Sequence, residues 1–142
     1  MQGLFIDKED TITISFVLTK DSKGALIAYD SKKILEEEYE DVDPEDFYDK
    51  SCVEEYTVVF KRPSFGDTVQ MGQSINMSDL SSVNFDPWTL RFQRMKHLLK
   101  SWNLKDNDGK PMSANAENLS KLHPTVANII GTQLDIEVGS FI

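Results

Sequence analysis

The sequence predicts an α+β domain, with an N-terminal antiparallel β-sheet and a helical C-terminal half. Three observations point there. Residues 11–18 alternate, with Ile12, Ile14, Phe16 and Leu18 on one side and Thr11, Thr13 and Ser15 on the other, the period of a half-buried strand. Trp88, Phe92, Met95, Leu99 and Trp102 recur at steps of four, three, four and three, the period of a buried helical face. The 142 residues suit one domain, and no internal repeat or low-complexity linker divides them.

The sheet is expected from residues 3–18, 25–29 and 53–61. Leu4-Phe5-Ile6 adds a short strand ahead of the alternating run, in which only Val17 breaks the pattern. Lys20-Asp21-Ser22-Lys23-Gly24 supplies turn chemistry, and Ala25 to Tyr29 pairs back as a hairpin. Ser31 caps a short helix over residues 32–40, whose few apolar contacts are Ile34 and Leu35. Asp43-Pro44-Glu45-Asp46 has the form of a second helix start, which Phe47 and Tyr48 would pin to the body. In the third strand Tyr56, Val58 and Phe60 face one way, and Pro63 ends it because proline cannot donate to a ladder.

Residues 65–75 predict a weak helix, lowered by Gly66 and Gly72, and residues 76–85 a polar loop. Asp86 then caps a helix with Pro87 in its first turn, running to about Asn103. Its stripe of Trp88, Phe92, Met95, Leu99 and Trp102 is expected to be structural core. Its other flank carries Arg91, Arg94, Lys96, His97 and Lys100. Two readings of that flank stay open: it balances the acidic segment of the same chain, or Arg91, Arg94, Lys96 and Lys100 contact another protein. Asp106-Asn107-Asp108-Gly109 makes a tight turn, Asn115 caps a short helix through Leu119 and Leu122, and Pro124 opens a last helix with Val126, Ile129, Ile130 and Leu134 inward. The single domain is thus mainly β over 1–61, with an acidic insert at 31–50, and mainly helical over 62–142.

Net charge is −9, and it is segregated. Residues 1–60 hold six Lys and Arg against sixteen Asp and Glu, whereas residues 61–142 hold nine against eight. The excess centres on Glu36, Glu37, Glu38, Glu40, Asp41, Asp43, Glu45, Asp46 and Asp49. Such a cluster repels itself and stays solvated, or it steers a basic partner; Glu36, Glu37, Glu38 and Glu40 are the partner-binding candidates there. This balance argues against nucleic acid, because phosphate contacts need clustered cations. No apolar run approaches the ~20 residues that span a bilayer, and no basic-then-apolar leader opens the sequence. The single Cys52 excludes an intrachain disulfide and suits a reducing interior.

Catalytic, metal and cofactor residues are not expected. One Cys and two His, His97 and His123, cannot build the usual closed zinc sites. Aligning Gly109 with the glycine of a calcium loop puts Leu104 and Asn115 at the first and last ligand positions, both of the wrong type. Glu54 and Glu55 beside Cys52 disfavour a thiolate. Neither a Gly-x-Ser-x-Gly elbow nor a glycine-rich phosphate cradle is present.

Two stretches carry a resemblance. The first runs from Tyr56-Thr57-Val58-Val59-Phe60 through Lys61-Arg62-Pro63 to Ser64-Phe65-Gly66-Asp67. The second is Leu98-Leu99-Lys100-Ser101-Trp102-Asn103-Leu104, the Asp106–Gly109 turn with Lys110-Pro111, and Ala116-Glu117-Asn118-Leu119-Ser120-Lys121-Leu122-His123-Pro124-Thr125-Val126-Ala127. Over residues 56–134 this order resembles small bacteriophage tail-region proteins, especially tail assembly chaperones. The resemblance implies a non-enzymatic role in tail morphogenesis, binding tail-tube or tape-measure proteins in the host cytoplasm, with no membrane and no nucleic acid. A structural virion component at the neck, tail or baseplate is the alternative, homo-oligomeric ring included, and an acidic host-directed inhibitor or nucleic-acid mimic is a third. Physically, the second stretch reads as a helical hairpin in which Leu119 and Leu122 close over Trp102.

Overall fold

A computed structural model describes residues 4–7, 9–38, 48, 52–73 and 87–138. The α+β architecture is present: helices pack against a four-stranded antiparallel sheet. In chain order the elements are β1 (Thr11–Lys20), β2 (Leu26–Tyr29), α1 (Lys32–Glu38), β3 (Glu54–Lys61), α2 (Phe65–Gln73), α3 (Pro87–Leu98), β4 (Leu99–Trp102), α4 (Ala116–Ser120) and α5 (Pro124–Val138). The strands lie in the order β2-β1-β3-β4.

The alternation of β1 does what its period dictates. Ile12, Ile14 and Phe16 are opposite Phe60, Val58 and Tyr56 of β3, so all six share one face. Against it pack Met71 of α2, Met95 and Leu98 of α3, Leu119 of α4, and Val126, Ile130 and Leu134 of α5. Val17, the one departure from alternation, has its own explanation. It faces the other side of the sheet, where it is buried with Leu35 of α1 and Tyr48, beside Ile27, Tyr29 and Val53. The hairpin turn is held by the Asp21 carboxylate, which accepts from the N–H groups of Lys23 and Ala25 at 2.9 Å each, and Gly24 takes φ +85° there. Ser31 caps α1 by accepting from the N–H of Ile34 at 3.2 Å.

Some sequence expectations are corrected. Among the described residues no strand precedes Thr11: the Asp10 N–H donates to the Asp7 carbonyl, closing a turn, and Leu4 and Phe5 are exposed. The third helix stops at Leu98 rather than Asn103, and Leu99–Trp102 form an edge strand on β3. Asn103 extends that pairing, its side-chain oxygen accepting from the Thr57 N–H at 2.8 Å while its own N–H donates to the Thr57 carbonyl at 3.2 Å. A helical wheel that includes Leu99 and Trp102 therefore misplaces the stripe. The buried residues of α3 are Leu90, Arg94, Met95 and Leu98; Phe92, Leu99 and Trp102 are partly buried against the core, and Trp88 is 57% exposed. The helix start at Asp43-Pro44, the loop at 76–85 and the cap at Asp86 lie outside the described residues.

Candidate functional site

At the end of the sheet where β1 finishes, the helix-covered face is left open as a cleft of about 590 Å³, within the ~300–1,000 Å³ range of ligand sites. Each strand sends one apolar side chain into it: Leu26 from β2, Leu18 from β1, Tyr56 from β3 and Trp102 from β4. The opposing wall is the return of the chain through Leu104 and Met112 and the entry to α5 at Leu122, His123 and Val126. Lys105, Asp106, Lys121 and Glu54 supply its charged lining.

The wall is built by local chemistry. Leu104 and Met112 are joined by a hydrogen bond from the Met112 N–H to the Leu104 carbonyl at 3.0 Å, and Lys105 bridges Pro111. The loop between them turns on Asp106, whose carboxylate accepts from the N–H groups of Asp108 and Lys110 at 2.9 Å each. Gly109 takes φ +79°, a conformation L side chains avoid. The Trp102 indole Nε1–H donates to the Met112 carbonyl at 2.6 Å, which fixes the ring and the loop to one another. Asn115 caps α4 by accepting from the Asn118 N–H at 2.8 Å. His123 Nδ1 accepts from the Thr125 N–H at 3.1 Å and so starts α5 beside Pro124.

Three ionisable groups of the cleft make structural contacts. Glu54 accepts from the Tyr56 hydroxyl, Asp106 holds the turn, and His123 caps a helix. Burial first, and then the Glu54 carboxylate, push the Tyr56 phenol up to about 12. No group of three or more His, Cys, Asp or Glu among the described residues is placed to hold a metal ion. The rest of the lining is largely apolar, with Tyr56 and Trp102 as its aromatic side chains.

The structure does not gather the partner-binding residues expected from sequence. Arg94 is buried at 5% exposure and pairs with Asp135 of α5 at 2.7 Å; Arg91 pairs with the same carboxylate at 3.0 Å. These two are corrected from an outward contact face to internal partners of α5, because Asp135, a residue distant in sequence, meets them across the helix interface. Lys96 and Lys100 are exposed. Glu36, Glu37 and Glu38 are exposed on α1, which covers the other face of the sheet from the cleft, and Glu40 lies outside the described residues. Sequence reasoning did not single out Tyr56, Met112 or Leu122 as one surface. The available signal was the Asp-Gly turn between Leu104 and Met112, which returns the chain toward Trp102.

No helix among the described residues is long and apolar enough to cross a membrane. Compared with protein-family models, with curated proteins and with solved structures, the chain matches none.

Proposed function

We propose that this chain is a non-enzymatic protein-binding component of bacteriophage tail morphogenesis, which holds an apolar segment of a tail-tube or tape-measure protein in the cleft beside Trp102. One observation carries the reading. The two stretches on which the resemblance to tail assembly chaperones rests converge on this cleft: Tyr56 from the first, and Trp102, Leu104, Asn118, Leu122 and Val126 from the second. A surface that takes apolar groups from a partner is what a shielding role requires.

The test uses purified tail-tube and tape-measure proteins of the phage that encodes the chain. Binding is measured against the natural chain and a cleft variant, Lys105→Glu with Met112→Glu. The expected result is binding to one of them that falls at least tenfold in the variant. Equal binding by both chains would overturn the cleft as the site. Mass spectrometry of purified particles separates the roles: absence from particles fits a chaperone, and a fixed copy number fits the alternative of a permanent virion component.

A further inference from the structure

We infer that Met112 makes the cleft redox-sensitive: a peroxide converts its thioether to the sulfoxide and weakens the hold on an apolar partner segment. The inference rests on the reading of the cleft as a protein-docking surface and adds a regulation to it.

Three methionines fall among the described residues, and the fold treats them differently. Met71 of α2 and Met95 of α3 are each 3% exposed, packed into the core between sheet and helices. Met112 is half-buried and lines the cleft, so a peroxide that enters the cleft meets its sulfur. Susceptibility of a sulfur follows its exposure. The exposed Cys52 is not among the residues that line the cleft, which leaves Met112 as the one sulfur of its wall.

The step is a two-electron oxygen transfer. The sulfur lone pair attacks one oxygen of hydrogen peroxide, an S–O bond forms and the O–O bond breaks. The proton of the transferred oxygen passes to the departing one, which leaves as water. Sulfur is oxidised to the sulfoxide and the peroxide is reduced, with no further reactant needed.

The backbone around Met112 is fixed without help from its sulfur. The Met112 N–H donates to the Leu104 carbonyl at 3.0 Å, and its carbonyl accepts from the Trp102 indole at 2.6 Å. One residue on, the Ser113 carbonyl accepts from Asn118 Nδ2 at 2.8 Å. None of these bonds uses the thioether, so oxidation leaves the 104–112 return in place and changes the surface of the cleft. A flexible apolar side chain becomes a polar one on a wall shared with Trp102, Leu104, Leu122 and Val126. An apolar segment docking there strips water from the sulfoxide oxygen and offers no donor in return, which disfavours the docked state.

The experiment treats the full chain with hydrogen peroxide in a Cys52→Ser, Trp88→Phe background. Thiol oxidation is then excluded and Trp102 is the only tryptophan. Peptide mass mapping reads each methionine, and circular dichroism checks the fold. Met112 is expected to oxidise at least tenfold faster than Met71 and Met95. With it the emission of Trp102 should move to longer wavelength, and affinity for the tail protein should fall at least tenfold. Methionine sulfoxide reductases A and B together should reverse both changes. In the same background Met112→Leu should show neither change on peroxide treatment. Equal oxidation of the three methionines overturns the inference. So does a Trp102 emission that ignores oxidised Met112, an affinity that survives oxidation, or a change that persists in Met112→Leu. An untreated chain that binds no tail protein sinks the proposed function instead, and the Trp102 emission then still decides whether oxidation of Met112 alters the cleft.

Discussion

Asp135 Oδ1 lies 2.7 Å from Arg94 Nη1, and this single carboxylate also takes Arg91 Nη2 at 3.0 Å through its other oxygen. Asn128 accepts from Arg91 Nη1 at 3.2 Å, and the guanidinium lies 5.2 Å from the Trp88 ring centre, within cation–π reach. Gly131 is what lets α5 come this close, because a Cβ there would stand 2.3 Å from Arg91 Cδ. The basic flank of α3 is thus spent in part on fastening two helices.

Asp135→Ala takes a carboxylate partner from the buried Arg94 and the partly buried Arg91, and is expected to lower unfolding free energy by about 1–3 kcal/mol in urea melts. Arg94→Met, which removes the buried charge and keeps apolar volume, is expected to cost much less or to stabilise. Arg91→Met should change stability by under about 1 kcal/mol, as its side chain is partly solvated.

Acid should act through Asp67. Its carboxylate accepts from the Ser64 N–H at 2.9 Å, the Ser64 hydroxyl at 3.0 Å and Lys61 Nζ at 2.9 Å. The Asp67 N–H returns a bond to the Ser64 hydroxyl at 3.1 Å, a reciprocal cap on α2. The Ser64 N–H above all, with Lys61 and against the cost of burial, lowers its pKa from 3.8 to about 2. A depressed folded pKa means stability that is full above the unfolded value and lost as pH falls from about 4 toward 2. Asp67→Asn should flatten that part of the stability–pH curve and weaken the cap, with melts across that range as the check.

Tyr56 gives the mirror case at alkaline pH. With the phenol pushed from 10.0 to about 12, the folded state keeps its proton after the unfolded state has lost it. Stability is then lost as pH rises from 10 toward 12. Glu54→Gln removes the carboxylate's charge and leaves burial, the largest single cause, so ultraviolet titration should find Tyr56 lowered yet still above 10.

Trp102 joins fold and site. Trp102→Phe forfeits the bond to the Met112 carbonyl, about 1 kcal/mol, and should loosen the 104–112 return. Trp102→Ala is expected to cost about 2–3 kcal/mol, below the ~3–5 of a fully buried tryptophan, because one side of the ring faces the cleft. Thermal melts of the two variants check the order.

The fold was legible wherever a local period carried it. The hairpin of β1 and β2, the Ser31 and Asn115 caps and the Asp106 turn rest on residues within a few positions of one another. Val17 stood out as a break in alternation, and its burial under α1 is the reason. β4 was hidden because Leu99-Lys100-Ser101-Trp102 lacks β-branched residues and continues a helical rhythm; only pairing with β3, some forty positions earlier, makes it a strand. Arg94 looked like an exposed cation because Asp135 is far away in sequence. The cleft was invisible for the same reason: its walls come from every strand and from the chain between β4 and α5, and no short window contains them.

The most direct measurement is the affinity of the purified tail-tube or tape-measure protein for the natural chain and for Lys105→Glu with Met112→Glu, by calorimetry. The cleft as docking site predicts a drop of at least tenfold with the circular dichroism spectrum unchanged. Unaltered affinity in the folded variant would contradict it.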